Sequence, residues 1–237
     1  TGENIRMVSK PGVSSWRSIQ VTNIFTNCYN MNRELDSHMM KNTEWGAVAY
    51  LTVSKHGKGA TSEVEQNKSE SCLTGYGSDS TLSTGTASTT GTMYGIFDMS
   101  GGLNEYVLSN YSQVSNSYFE ILPTDTKYYD IYDFSEISSC DLITCGGHAL
   151  NETRWYSDSL TFVNSNGPWF ARGGYYGYGD SAGAFGADRN TGYACDTGGF
   201  RSVLIPRKVN NNAITLSMDG DSEYSKEKEV TVTISSK

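Results

Sequence analysis

Hydrophobic positions recur at helical spacing twice in the first quarter of the chain. In SSWRSIQVTNIFTNCYNMN, Val21, Ile24, Phe25, Cys28 and Tyr29 fall at i, i+3, i+4, i+7 and i+8, which predicts one face of an amphipathic helix with Ser14 or Ser15 as its cap. A second helix is predicted over NTEWGAVAYLTVSKHG. Asn42 or Thr43 would cap it, Glu44 would sit in its first turn, and Trp45, Val48, Ala49 and Thr52 share a face. Lys55, His56 and Gly57 would close it, with cations in the last turn and glycine just beyond.

The pattern then changes. Residues 69–92 hold six Ser and seven Thr with almost no large apolar side chain, which predicts an exposed loop unable to pack a core of its own. Short apolar runs follow at turn-like spacing, MYGIFDM, NEYVLSN, PWFARGG, AGAFGA and GFRSVLI, separated by Gly, Asn, Asp and Ser, and these predict short strands. Two early helices and late strands predict an α+β domain over residues 1–207. Residues 208–237 begin as an Asn-rich linker, and EVTVTIS alternates with period two, as a β-hairpin or the opening of an Ig-like module would.

Composition narrows the function. Net charge is −8 and the 18 Lys and Arg are scattered, so no basic footprint exists for nucleic acid. No run approaches the roughly 18 apolar residues of a membrane span. A start at Thr1 without methionine points to a processed or truncated product, in which an export signal or membrane anchor would have preceded the chain. Five cysteines fit no zinc spacing; Cys140 and Cys145 are close enough to close a small disulfide loop in an oxidising compartment, and an odd count leaves at least one thiol free unless pairing is intermolecular. Asn67, Asn110 and Asn151 begin N-x-S/T triplets, a number that this Ser- and Thr-rich composition produces by chance.

Several segments together resemble the formylglycine-generating-enzyme family. FDMSGGLNEYV is similar to that family's DMSGNVWEW segment, ARGG (171–174) to its RGG strand, DRN (188–190) to its Arg-Asn step, GGFR (198–201) to its closing strand, and NTEWGAV to its TEAEWE helix. The resemblance spans about 170 residues in the family's order and implies a divergent C-type lectin fold. Physical chemistry assigns the shared residues structural work. Gly101 and Gly102 suit a tight turn, Gly173 and Gly174 a close backbone approach, and Arg201 the binding of carbonyls or of an acid such as Glu105. Glu105, Arg172 and Arg201 therefore read as buried polar braces rather than catalytic groups.

The resemblance also implies where enzyme chemistry would lie. The oxidase branch carries two cysteines just before the Arg-Asn step, for copper and oxygen chemistry, where this chain reads SAGAFGADRN. The iron-dependent sulfoxide synthases of this fold use a histidine set, whereas this chain has His38, His56 and His148 without H-x-x-x-H spacing. A lone His is most often a surface or helix-end residue, and His56 fits that role. No phosphate loop, Ser-His-Asp signature or paired-carboxylate signature stands out. The expectation is a catalytically inactive protein. A metal-dependent oxidase with an unfamiliar ligand set, and a structural pilus or stalk component, are the alternatives.

From Phe170 to Phe200 there are nine Gly and four Tyr, with no Lys and no Glu. Rigid, amphipathic tyrosines among adaptable Gly, Ser, Asn and Asp are what antibody binding loops use. Tyr175, Tyr176, Tyr178, Asp180, Ser181, Asp188, Asn190, Tyr193 and Asp196 are the expected ligand-binding residues, for a protein or glycan. An exposed Gly- and Tyr-rich loop without a ligand is the plainer reading. The segment also resembles the hypervariable stretch of ligand-binding proteins diversified by retroelements, in which Asn codons mutated at adenine become Tyr, Ser, Asp, Gly, Ala, Thr or Cys. Residues 175, 176, 178, 180, 181, 188, 190, 193, 195, 196 and 197 all belong to that reachable set. The resemblance implies a bacterial or phage-related surface location, with the β-rich tail as part of a stalk. It implies no cofactor beyond a structural calcium, for which the loop PTDTKYYD offers oxygens. Oligomeric state stays open.

Overall fold

The computed structural model describes residues 7–112, 118–119, 125–132, 149 and 157–205. Cys140, Cys145, His148, Asn151 and residues 208–237 lie outside them, and with them the disulfide loop and the tail. The described chain is α+β. Helices α1 (Val21–Met31) and α2 (Asn42–Val53) accompany strands β1 (His38–Met39), β2 (Asn104–Tyr111), β3 (Asp130–Tyr132), β4 (Trp169–Gly173), β5 (Gly183–Asn190), β6 (Gly198–Phe200) and β7 (Ser202–Val203). The main sheet runs β3-β2-β4-β5, with β6 also paired to β2, and β1 and β7 form a small antiparallel pair.

Strand β2 organises the fold. It pairs antiparallel with β4 on one edge, and its other edge is shared by β6 at residues 104–106 and β3 at residues 109–111, both parallel. Its side chains alternate between two cores. Val107 joins Trp45, Ala49, Met99, Phe170 and Phe185 beside α2, while Tyr106 and Leu108 join Val21, Ile24, Cys28, Met39 and Trp169 beside α1. A strand covered by a helix on each face reads as a continuous apolar run, which is why NEYVLSN and PWFARGG were visible in the sequence. MYGIFDM differs: it forms no strand, only a single bridge from Ser88 to Phe97, and Tyr94 is 97% exposed.

Both helix starts depart from expectation. Helix α1 begins at Val21 with Gln20 at its N-cap and no side-chain cap bond, because Ser14 is bridged to Leu73 and Ser18 is left-handed at φ 58°, so the chain before Gln20 is not helical. In α2 the cap is Lys41, whose backbone N–H donates to Glu44 Oε2 at 2.9 Å. Asn42 and Thr43 lie inside the helix because partners from the sheet satisfy its first amides. Asn42 N–H donates to Ser109 Oγ at 2.9 Å and Thr43 N–H to Asp130 Oδ2 at 2.8 Å. The helix ends at Val53, before Lys55 and His56. Gly57 serves a different purpose than a left-handed cap, since a Cβ there would collide with the carbonyls of Leu51 and Thr52.

Two further expectations change. Residues 69–92 are irregular but not wholly exposed: Ser69, Cys72, Ser83, Ala87, Ser88 and Thr89 are buried, and hydroxyls replace the missing apolar groups by bonding the loop's own backbone, as Ser83 Oγ does for the amides of Gly85 and Ala87. His38 is not a surface residue. It is 2% exposed, with Nδ1 2.7 Å from Asp36 O and Nε2 2.9 Å from Glu44 Oε1. A backbone carbonyl and an ionised carboxylate only accept, so this geometry favours the protonated ring, which can donate to both. Burial opposes that charge, but the bonds to Glu44 and Asp36 outweigh it and raise the His38 pKa. Asn67 and Asn110 are buried, so neither is an accessible glycan acceptor.

Candidate functional site

The pairing of β4 with β5 creates the site. One step along β4, Arg172 to Gly173, is matched by the step from Ala187 to Gly183 in β5, so Ala184, Phe185 and Gly186 are extra residues that bulge from the ladder. Their backbone groups need other partners. Trp45 Nε1 donates to Ala184 O at 2.7 Å, Arg172 Nη2 to Phe185 O at 3.4 Å, and Phe185 N–H to Asp158 Oδ2 at 2.8 Å. Arg172 also reaches Asn42 Oδ1 at 3.0 Å and Ala149 O at 3.0 Å. A bulge is thus held open by one Trp, one Arg and one Asp, all buried.

Arg201 holds the neighbouring turn. Its guanidinium is paired with both oxygens of Glu105 and donates to Phe97 O and to Asp98 O at 3.1 Å. Burial opposes the charge on Arg201, but the facing Glu105 carboxylate outweighs burial and tightens its hold on the proton. The turn itself uses Asp98 at φ 60° and Gly101 and Gly102 at φ 72°. A Cβ on Gly101 would collide with Asn67 O, so this turn requires glycine there on two counts.

Against the bulge lies a cleft of about 330 Å³, lined by Asn104, Ser159, Thr161, Gly174, Gly177, Tyr178, Ser181, Gly186, Ala187 and Asp188. Its wall at 159–161 runs parallel beside β5: Thr161 N–H donates to Ala187 O at 2.8 Å, and Ala187 N–H to Ser159 O at 2.9 Å. Leu160 packs on the core, so Ser159 and Thr161, on the alternate face, line the cleft. Its rim is the 3-10 segment Tyr176–Ser181, which turns at Gly179, φ 56°. Tyr175 packs edge-on to Tyr176 at 5.2 Å and to Tyr178 at 4.5 Å between ring centroids. Tyr178 Oη donates to Asp188 Oδ2 at 3.0 Å, with the Asn104 side chain beside it as a second polar neighbour. Burial, then the Asp188 charge, push the phenol pKa up, so the hydroxyl keeps its proton.

Three of the nine expected residues, Tyr178, Ser181 and Asp188, line this cleft. Tyr175, Tyr176 and Asp180 belong to its rim segment. Asn190, Tyr193 and Asp196 do not line it. Asn190 Oδ1 accepts from Gly192 N–H at 3.2 Å, Tyr193 O accepts from Tyr106 Oη at 2.9 Å, and Asp196 O accepts from Arg17 at 3.4 Å, which ties that stretch to the α1 side of the molecule. Asn104, Ser159 and Thr161 were not foreseen. Asn104 was legible only as the start of a strand, and no periodicity marks residues 157–161.

A pair of acids behind the cleft was also missed. Asp158 is 3% exposed; its Oδ1 finds no amide or hydroxyl donor, and the Glu63 carboxyl is its hydrogen-bonding neighbour. Two carboxyl groups can bond only through a shared proton. Burial, then the Asp158 charge, raise the Glu63 pKa to about 8, with Asp180 adding and Lys58 opposing. Burial also raises the Asp158 pKa, to about 6, against the Phe185 amide, Glu63 and Arg172. The shared proton belongs to the pair, which titrates above the ordinary carboxylate range.

Among the described residues, no group of three or more His, Cys, Asp or Glu side chains converges to hold a metal. In the loop proposed for calcium, Asp125 accepts from Lys127 N–H at 3.1 Å and Asp130 from Thr43 N–H at 2.8 Å, so each carboxylate caps a helical turn. Cys28, Cys72 and Cys195 are free thiols. No helix among the described residues is long and apolar enough to cross a membrane. A scan against protein-family models finds no match, and a search of curated proteins finds none either.

Proposed function

We propose that this chain is a recognition module with a C-type-lectin-like fold of the formylglycine-generating-enzyme type, exported and displayed on a bacterial or phage-related surface. It binds a protein or glycan through the face built by Tyr175–Ser181 and Asp188, and it makes and breaks no bond. The observation that supports this reading most is the placement of the Tyr cluster on the rim of a polar cleft, with Tyr178 oriented by its hydrogen bond to Asp188. Rigid aromatic rims around polar floors are how recognition loops combine area with direction. Among the described residues, the partners of Arg172 and Arg201 named above belong to the frame, which supports a positioning role over a catalytic one.

Sequencing the DNA for residues 169–204 across isolates tests the display reading. Substitutions clustered at adenines beside a near-identical template repeat are expected for a diversified receptor; an invariant stretch without a template removes diversification and leaves a fixed adhesin. Stoichiometric copper or iron in the purified protein would overturn the non-enzymatic reading.

A further inference from the structure

The lining of the cleft selects among ligand chemistries. Its described lining carries the hydroxyl residues Ser159, Thr161, Tyr178 and Ser181, the amide residue Asn104 and the acid Asp188, with Ala187 the one aliphatic side chain among them. Among the described residues no Lys, Arg or His lines it, and the Asp188 carboxylate disfavours an anionic ligand. A mostly apolar ligand would leave these polar groups without partners, at a cost that hydrogen-bonding sites avoid. The single carboxylate is already engaged, Oδ2 by Tyr178 and Oδ1 by the Arg189 N–H at 2.8 Å, which orients it and leaves about two acceptor sites for ligand donors. Asn104 Oδ1 is a buried acceptor that no described group satisfies. The β5 edge beside the cleft is covered by residues 159–161, so an extended peptide cannot add to the sheet there.

A ligand matching all of this carries many neutral hydroxyls, each both donor and acceptor, on a body that fits about 330 Å³, within the roughly 300–1,000 Å³ of ordinary small-ligand sites. We propose that the Asn104–Tyr178–Asp188 cleft binds one neutral sugar unit of a glycan, by direct hydrogen bonds and without a bridging metal. This rests on the recognition reading and narrows it. The bond from Tyr178 to Asp188 fixes the direction of the Tyr178 hydroxyl. Gly174, Gly177 and Gly186 keep the walls low enough for a pyranose ring to enter.

The test uses the full chain, labelled with nitrogen-15, titrated to high millimolar concentration with glucose, galactose, mannose and N-acetylglucosamine, with and without EDTA. At least one sugar is expected to give saturable shifts at residues 104, 159, 161, 178, 181 and 188, unchanged by EDTA. Asp188→Asn and the rim variant Ser181→Trp, which fills the cleft from an exposed position, should each weaken that binding at least tenfold while the rest of the spectrum stays native. No saturable shift with any of the four sugars, or shifts abolished by EDTA, overturns the proposal. Protein ligands selected against the purified chain separate the two readings. If they bind and Tyr176→Ala weakens them while the sugars fail, the recognition reading stands and the sugar assignment falls; if Tyr176→Ala leaves them unchanged as well, both fall.

Discussion

Arg172 and Arg201 are held by backbone carbonyls and by amide or acidic side chains, whereas the rim from Tyr175 to Ser181 is held by its own tyrosine rings and a few backbone bonds. Gln66 reaches Tyr176 O at 3.4 Å, and Tyr176 N–H donates to Gly102 O at 3.1 Å. The frame uses charge, where a lost partner leaves a buried ion stranded. Apart from the Tyr178–Asp188 bond, the rim is held by neutral rings and glycines, where a lost ring contact strands no buried ion. Side chains can therefore change on the rim at small cost to the fold, which suits a surface meant to meet ligands.

The sharpest way to break that contrast is Arg201→Met. It strands Glu105, which is 7% exposed, and is expected to cost about 3–5 kcal/mol, read by urea unfolding. A loss no greater than that of a surface substitution would show that the pair does not brace the frame. Next comes Gly174→Ala, at the hinge between the regions. The glycine has φ +71° and an added Cβ would lie 2.8 Å from Ala182 Cα, so about 1–3 kcal/mol should be lost together with the shape of the cleft. Smallest is Tyr94→Ser, a tyrosine without a packed rim around it, which should fall within about 0.5 kcal/mol of the parent protein.

Between these lies a pH test of the acids behind the cleft. Glu63 has a folded-state pKa above its unfolded value, so the stability it contributes is full below the unfolded value, near 4.3, and is lost as pH rises through about 8. His38 and Asp158, also raised, contribute in the same direction, so the readout is the difference between parent and Glu63→Gln. The variant should unfold with a flatter dependence on pH between 4 and 8. Identical slopes would show that Glu63 and Asp158 do not share a proton.

Much of the frame was legible because it repeats locally. The 3.6-residue spacing gave α1 and α2, and the doubly buried strands gave unbroken apolar runs. The role of Arg201 followed from a Gly-Gly-Phe-Arg step and an acid that needed a partner. Cap positions were misplaced because Ser109 and Asp130, distant in sequence, supply what a local cap would have supplied. The rim was legible as composition, but the cleft was not. It depends on a bulge whose three extra residues look like any Ala-Phe-Gly step, and on Ser159 and Thr161, which acquire meaning only beside Ala187. Glu63 and Asp158 showed no paired-acid signature because the chain brings them together from opposite sides of the strands between them.

The closing strands have a consequence for how the protein is made. Arg201 meets Glu105 across 96 residues, and Ser202 Oγ donates to His38 O across 164. A chain emerging from the ribosome at about 5–20 residues per second carries an unfilled β2 edge until β6 arrives, which leaves seconds for a chaperone or a like chain to occupy it. The last strands synthesised act as the latch, so a nascent chain halted before Gly198 would expose the seam on which the finished molecule closes.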